Sequence, residues 1–125
     1  MPRHQSATLT EAELRIMQVL WDKGSATVQQ VLEGMPAGKP LAYNSVLTIV
    51  RILEKKGCVK HSKDGRAHVY SPLLNREEAT RSEIRHLVSR FFNDSRELLV
   101  LNLLNDESLD KAEIERLRKM LDEVR

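Results

Sequence analysis

Apolar positions recur three and four residues apart along most of this chain and alternate in one short stretch. Leu14, Met17, Leu20 and Trp21 mark a first helix. Its start is written in Leu9-Thr10-Glu11-Ala12-Glu13: Thr10 can cap, Glu13 completes a capping box, and Leu9 is placed for a hydrophobic staple. Lys23-Gly24 stops it, and Gly24-Ser25-Ala26 reads as a short extended piece. Thr27, with Gln30 three residues on, opens a second, brief helix striped by Val28, Val31, Leu32 and Met35. Gly34, Pro36, Gly38 and Pro40 break the chain into a turn. A third helix runs from about Ala42 to Lys56, because Val46, Ile49, Val50 and Leu53 lie at i, i+3, i+4 and i+7. Gly57 ends it, with Lys55 and Lys56 in the favourable last turn.

The period then changes. Cys58 to Ser62 and Ala67 to Ser71 are two short alternating runs around Lys63-Asp64-Gly65-Arg66, and an Asp-Gly pair between such runs signals a hairpin. Pro72 closes this part, so residues 1–74 read as one domain and 75–125 as a second, preceded by a polar arm at Met1 to Ala7. Asn75-Arg76-Glu77-Glu78 opens a long helix to about Phe92, with acids at its positive end. Asn93-Asp94-Ser95 punctuates it. Arg96 to Leu104 is a strongly apolar helical piece, and Asp110, with Glu113 three residues on, starts a last helix. The fold class expected is mainly α with a small β-hairpin: a winged helix-turn-helix followed by a C-terminal helical dimerisation region.

Three helices followed by a hairpin is an arrangement suited to double-stranded DNA. A helix fits the major groove, where every base pair shows a distinct donor and acceptor pattern, while the preceding helix and the wing hold the backbone. The third helix divides its faces accordingly. Opposite its core stripe, Asn44, Thr48, Arg51 and Lys55 lie at i, i+4, i+7 and i+11, with Ser45 beside them. Asn44, Ser45 and Thr48, near the helix start, are the best candidates for base contact. Tyr43 suits a phosphate or sugar contact and equally a packing role beside the turn. In the wing, Lys63 and Arg66 flank Asp64-Gly65 and suit phosphate clamping, although a hairpin tip is polar in any case. His61 and His68 read as cross-strand neighbours, too few for a zinc site.

Charge sharpens the picture. The chain's net charge is only +2. Yet Lys39, Arg51, Lys55, Lys56, Lys60, Lys63 and Arg66 face only Glu54 and Asp64 over the same stretch, which suggests a polyanion partner. Gly-rich phosphate loops, serine elbows and paired-histidine zinc motifs are all missing, so no enzyme activity, cofactor or metal is expected. The single cysteine, Cys58, excludes an internal disulfide and reads as a small buried residue. No apolar run approaches the length of a membrane span and no apolar leader opens the chain, so a cytoplasmic location is expected.

The C-terminal half carries more apolar surface than three short helices can bury. Leu87, Phe91, Leu98, Leu101, Leu104, Ile114, Leu117 and Leu121 are the candidate dimerisation residues. Leaving half of this region's large apolar side chains in water would cost on the order of 10 kcal/mol. A second copy is the simplest partner, and its two-fold symmetry would match a palindromic operator. Packing back onto the winged domain and a different partner are the alternatives, as is a winged-helix protein-interaction module without a DNA target.

Taken in order, Leu9-Thr10-Glu11-Ala12-Glu13-Leu14 with Val19-Leu20-Trp21, Tyr43-Asn44-Ser45-Val46-Leu47-Thr48, Leu53-Glu54-Lys55-Lys56-Gly57 and the wing ending Val69-Tyr70-Ser71-Pro72 resemble the penicillinase-repressor family of the BlaI, MecI and CopY type. The resemblance spans about residues 8–124. It implies a homodimeric transcriptional repressor on a dyad operator, inactivated by proteolysis in its C-terminal region through a membrane sensor of the zinc-metalloprotease type. The family's scissile Asn-Phe bond corresponds to Asn102-Leu103 here, within Leu99-Val100-Leu101-Asn102-Leu103, with Leu in place of Phe. The paired Cys-x-Cys motifs of the copper-responsive branch are missing, which argues against that mode of sensing.

Overall fold

A computed structural model describes residues 8–36, 38 and 41–124. The arm at Met1 to Ala7, Lys39 and Pro40 of the turn, and Arg125 lie outside the described residues. The described elements are α1 (Glu11–Lys23), α2 (Val28–Gly34), α3 (Tyr43–Lys55), β1 (Val59–Asp64), β2 (Ala67–Pro72), α4 (Arg76–Phe91), α5 (Arg96–Leu104) and α6 (Lys111–Glu123). The chain forms two compact units that divide within α4, between Ile84 and Arg85.

Local chemistry sets the ends of these helices. Thr10 and Glu13 exchange side-chain and backbone hydrogen bonds at the start of α1, and Thr27 and Gln30 do the same at α2. Both boxes stand where the sequence places them. Leu9 packs against the core as the staple position requires. At the end of α3, Gly57 takes φ +83°. This left-handed residue lets the Cys58 N–H reach Leu53 O at 2.9 Å and its own N–H reach Glu54 O at 3.0 Å. Those two bonds satisfy carbonyls that would otherwise be orphaned, and they turn the chain sharply into β1.

The strands pair antiparallel from Val59↔Pro72 to Asp64↔Ala67, so pairing runs two residues further than the alternation suggested and leaves only Gly65-Arg66 as the loop. Gly65 has φ +66°, the conformation glycine supplies at the first position of a two-residue hairpin loop. The extended piece before α2 joins this hairpin: Ala26 and Tyr70 exchange backbone bonds of 2.9 and 2.8 Å. His61 faces Tyr70 and Lys63 faces His68, so the two histidines are diagonal rather than directly opposed.

One core holds this unit together. Ile16, Met17, Val19 and Leu20 of α1 meet Val28 and Val31 of α2, Val46, Val50 and Leu53 of α3, and Cys58, Val59 and Tyr70 of the hairpin. Each large side chain buried here contributes about 1.5–3 kcal/mol. Leu74 and Ala79 belong to the same cluster, so the first turns of α4 pack on the winged core. The Trp21 indole N–H donates to Leu74 O at 2.8 Å and the Leu9 N–H to Glu83 Oε2 at 2.7 Å, which fixes that docking. Glu13 is the one buried charged residue described; both its oxygens accept from Lys56 Nζ, at 2.8 and 2.9 Å. Three helices in this order with a hairpin wing make a winged helix-turn-helix.

The second unit holds the end of α4, then α5 and α6. Asn75 and Glu78 cap α4 reciprocally, Ser95 caps α5, and Asp110 forms a capping box with Glu113 at α6. Asn93 and Asp94 adopt φ +51° and +66°, a conformation that short polar side chains tolerate, and so separate α4 from α5. Among this unit's described residues Val88 alone is buried. Leu87, Phe91, Leu98, Leu101, Leu104, Leu117 and Leu121 are exposed, Phe91 and Leu121 each at 64%, and Ile114 is half-buried. No described helix is long and apolar enough to cross a membrane.

Candidate nucleic-acid interface

Because Val46, Val50 and Leu53 are fully buried, the opposite side of α3 must face out. Asn44, Thr48, Arg51 and Lys55 form that outer stripe, with Ser45 next to it, and all five are exposed. The Thr48 hydroxyl donates to Asn44 O at 2.9 Å, so it presents a methyl group and a free acceptor lone pair outward. Arg51, Lys55 and Thr48 line one groove together with Ile52 and Glu54.

The first turn of α3 differs from the other described helices. Ala42 stands at its N-cap and has no side chain to cap with. The N–H groups of that turn are left for an outside acceptor, and the N-terminus of a helix favours anions.

Tyr43 and Arg66, placed apart in the sequence, come together. Both line a concavity of about 350 Å³ that runs between the start of α2, the start of α3 and the wing, with Thr27, Gln29, Leu47 and His68 in its walls. Tyr43 is 46% exposed, which serves either of its two expected roles. Lys63 sits one residue before the loop-side end of β1, paired with His68. Arg66 of the wing therefore stands beside α3 rather than apart from it.

Two features escaped the sequence. Lys56 is engaged by Glu13 and so does not add to the cationic face. Glu54, on the outer groove of α3, meets His61 of the wing: Nδ1 and Oε2 lie 2.7 Å apart. The His61 and His68 rings stack with centroids 4.6 Å apart and an interplanar angle of 17°. The seven-residue spacing of Glu54 and His61 across Gly57 was a usable signal only once the turn geometry was known. No described group of three or more His, Cys, Asp or Glu residues is arranged to hold a metal ion. Burial, and after it the Glu54 charge, pushes the Tyr70 phenol above its ordinary value, so it stays neutral beneath the histidines. Burial likewise pushes the Cys58 thiol up.

Known proteins share this architecture. The chain is 29% identical over 115 residues to the penicillinase repressor of Bacillus licheniformis, covering 92% of this chain and 90% of that one. It is 26% identical over 113 residues to the methicillin resistance regulatory protein MecI of Staphylococcus aureus (strain N315), covering 90% and 92%. The solved DNA binding domain of the repressor BlaI superposes with a TM-score of 0.53 at 27% identity, over 62% of this chain and 93% of that one. The model of the family described as penicillinase repressor matches residues 9–123. With its capping boxes, exposed α3 stripe and wing spanned by that match, the chain belongs to the penicillinase repressor family, whose members are transcriptional repressors and not enzymes.

Proposed function

We propose that this protein is a sequence-specific transcriptional repressor that binds a dyad DNA operator as a homodimer. The observation that carries the reading is the exposed stripe Asn44, Thr48, Arg51 and Lys55 set against a wing that brings Arg66 beside Tyr43. A helix with this mixture of short polar groups and an arginine matches base edges in the major groove, while Lys63, Arg66 and the uncapped start of α3 suit phosphates. Residues 1–74 carry the DNA contact. Residues 75–125 carry self-association: Phe91, Leu98, Leu101 and Leu121 are left 45–64% exposed, a surface too apolar to leave in water. A two-fold pair would present two α3 helices to half-sites about one helical turn apart or a multiple of it. The site of action would be the cytoplasm.

Relief of repression is proposed to follow cleavage of the Asn102-Leu103 bond, triggered through a membrane sensor of the metalloprotease type. Both residues are exposed, and α5 has no buried residue, so opening it to an extended substrate costs little. The cut would remove α6 and part of the apolar seam, uncoupling the two half-sites.

Fluorescence anisotropy tests the reading, with DNA from upstream of the protein's own gene against a scrambled duplex at two salt concentrations. Salt-sensitive binding about 100-fold tighter on the upstream DNA is the expected result. Weak, equal, salt-insensitive binding would overturn it in favour of a protein-interaction module.

A further inference from the structure

We propose that Glu54, His61 and His68 form a proton-coupled subsite of the DNA-binding face, through which the protein takes up protons as it binds DNA and binds more tightly as pH falls. The inference rests on the DNA-binding reading above. Glu54 lies in the same outer groove of α3 as Thr48, Arg51 and Lys55. A carboxylate there repels phosphate, and its one described ion-pairing partner is His61, 2.7 Å away. A protonated His61 cancels that repulsion; a neutral one leaves it standing. His68 shares a wall with Tyr43 and Arg66, so a proton on it adds charge where the backbone of a bound duplex would run.

The stacking explains why the protons come with DNA. The His61 and His68 rings lie 4.6 Å apart, so two positive charges placed there repel each other and an anion held against both relieves that repulsion. By linkage, an anion that favours the protonated pair is itself bound more tightly when protons are plentiful. The groups around the pair permit this. From α3, Glu54 meets His61 and the Arg51 charge acts on the neighbouring Tyr70; from the hairpin it faces Lys63, Arg66 and the neutral phenol of Tyr70. From α2 it faces only the uncharged Thr27, Val28 and Gln29. Of the three α1 acids, Glu13 and Asp22 are engaged by Lys56 and Arg76, and Glu11 lines a separate concavity with Trp21 and Arg76.

The test is anisotropy titration of the full chain on a mixed-sequence duplex of about 30 base pairs, three helical turns. From about pH 8 to about pH 6, the window in which histidine changes charge, affinity is expected to rise about fivefold, with the logarithmic salt slope steeper by about 0.9 at the lower pH. The His61→Gln/His68→Gln double variant should lose that rise. Glu54→Gln should bind more tightly than the parent at about pH 8, a gain that misfolding cannot produce. A pH profile unchanged in the double variant, or no gain with Glu54→Gln, overturns the inference while leaving DNA binding intact. Salt-insensitive or absent binding at both pH values overturns the DNA reading, and this inference with it.

Discussion

The Glu13 carboxylate at the start of α1 accepts two hydrogen bonds from the Lys56 ammonium at the end of α3, at 2.8 and 2.9 Å. Glu13 Oε1 also accepts from the Thr10 N–H at 2.9 Å, so one buried side chain both begins α1 and holds the end of α3 against it. Removing Lys56 strands that carboxylate. Lys56→Met is expected to cost about 2–3 kcal/mol in urea unfolding. Glu13→Gln combined with Lys56→Met should cost less than the sum of the single changes, because the pair is coupled. Additive costs would show that the two side chains act independently.

Gly57 should tolerate no side chain. Its φ of +83° is needed for both bonds that close α3. Gly57→Ala is expected to lower stability by about 1–2 kcal/mol, the penalty of a left-handed residue with a Cβ, read as a shift in denaturation midpoint. An unshifted midpoint would mean that the turn relaxes.

Arg51 and Lys63 should divide the labour of DNA binding. Arg51→Ala is expected to weaken binding to the specific duplex by about 1–3 kcal/mol and to scrambled DNA much less. Lys63→Ala should weaken both equally and reduce the salt slope by about 1. Equal losses for Arg51→Ala on both duplexes would assign it to the backbone instead.

A chain ending at Asn102 tests self-association and its proteolytic loss together. It keeps the winged core, to which no described residue beyond Ala79 contributes a core side chain, and discards α6. Sedimentation at micromolar concentration is expected to show monomers, with half-site binding kept and the full operator bound no more tightly than a half-site. A stable dimer from this shortened chain would place the association elsewhere.

Cys58 links stability to alkaline pH. Burial is the largest cause of its raised pKa, offset by Lys56 and reinforced by Glu13. A thiol whose folded value lies above its ordinary 9.0 stabilises the fold fully below that value, and the contribution is lost as pH rises past it. The urea midpoint should therefore fall above about pH 9, less so for Cys58→Ala. The same burial predicts that a thiol reagent labels the folded protein far more slowly than the unfolded one.

Much of the fold was legible because its signals are local. The boxes Thr10–Glu13, Thr27–Gln30 and Asp110–Glu113 each join residues three apart, so composition and spacing alone define them. The outer stripe of α3 follows from the helical period once its core positions are recognised, and the hairpin follows from Asp64-Gly65 between alternating runs. The excess apolar surface of the C-terminal half was visible too, since too few residues are available to cover it.

What the sequence by itself determined, then, was where each helix and strand starts and stops and which face of each is apolar, because neighbours along the chain decide those matters. Which faces meet was decided only by tertiary structure. Glu13 finds Lys56 at a separation of 43 residues, Trp21 finds Leu74 at 53, and Leu9 finds Glu83 at 74. The short piece at Ala26 becomes a strand partner only because Tyr70 arrives beside it. Glu54, unremarkable on a helix surface, comes within 2.7 Å of His61 because the turn at Gly57 folds the wing back against it. Such pairings depend on how helices and hairpin pack around one shared core, a property of the whole unit that no local window of residues contains.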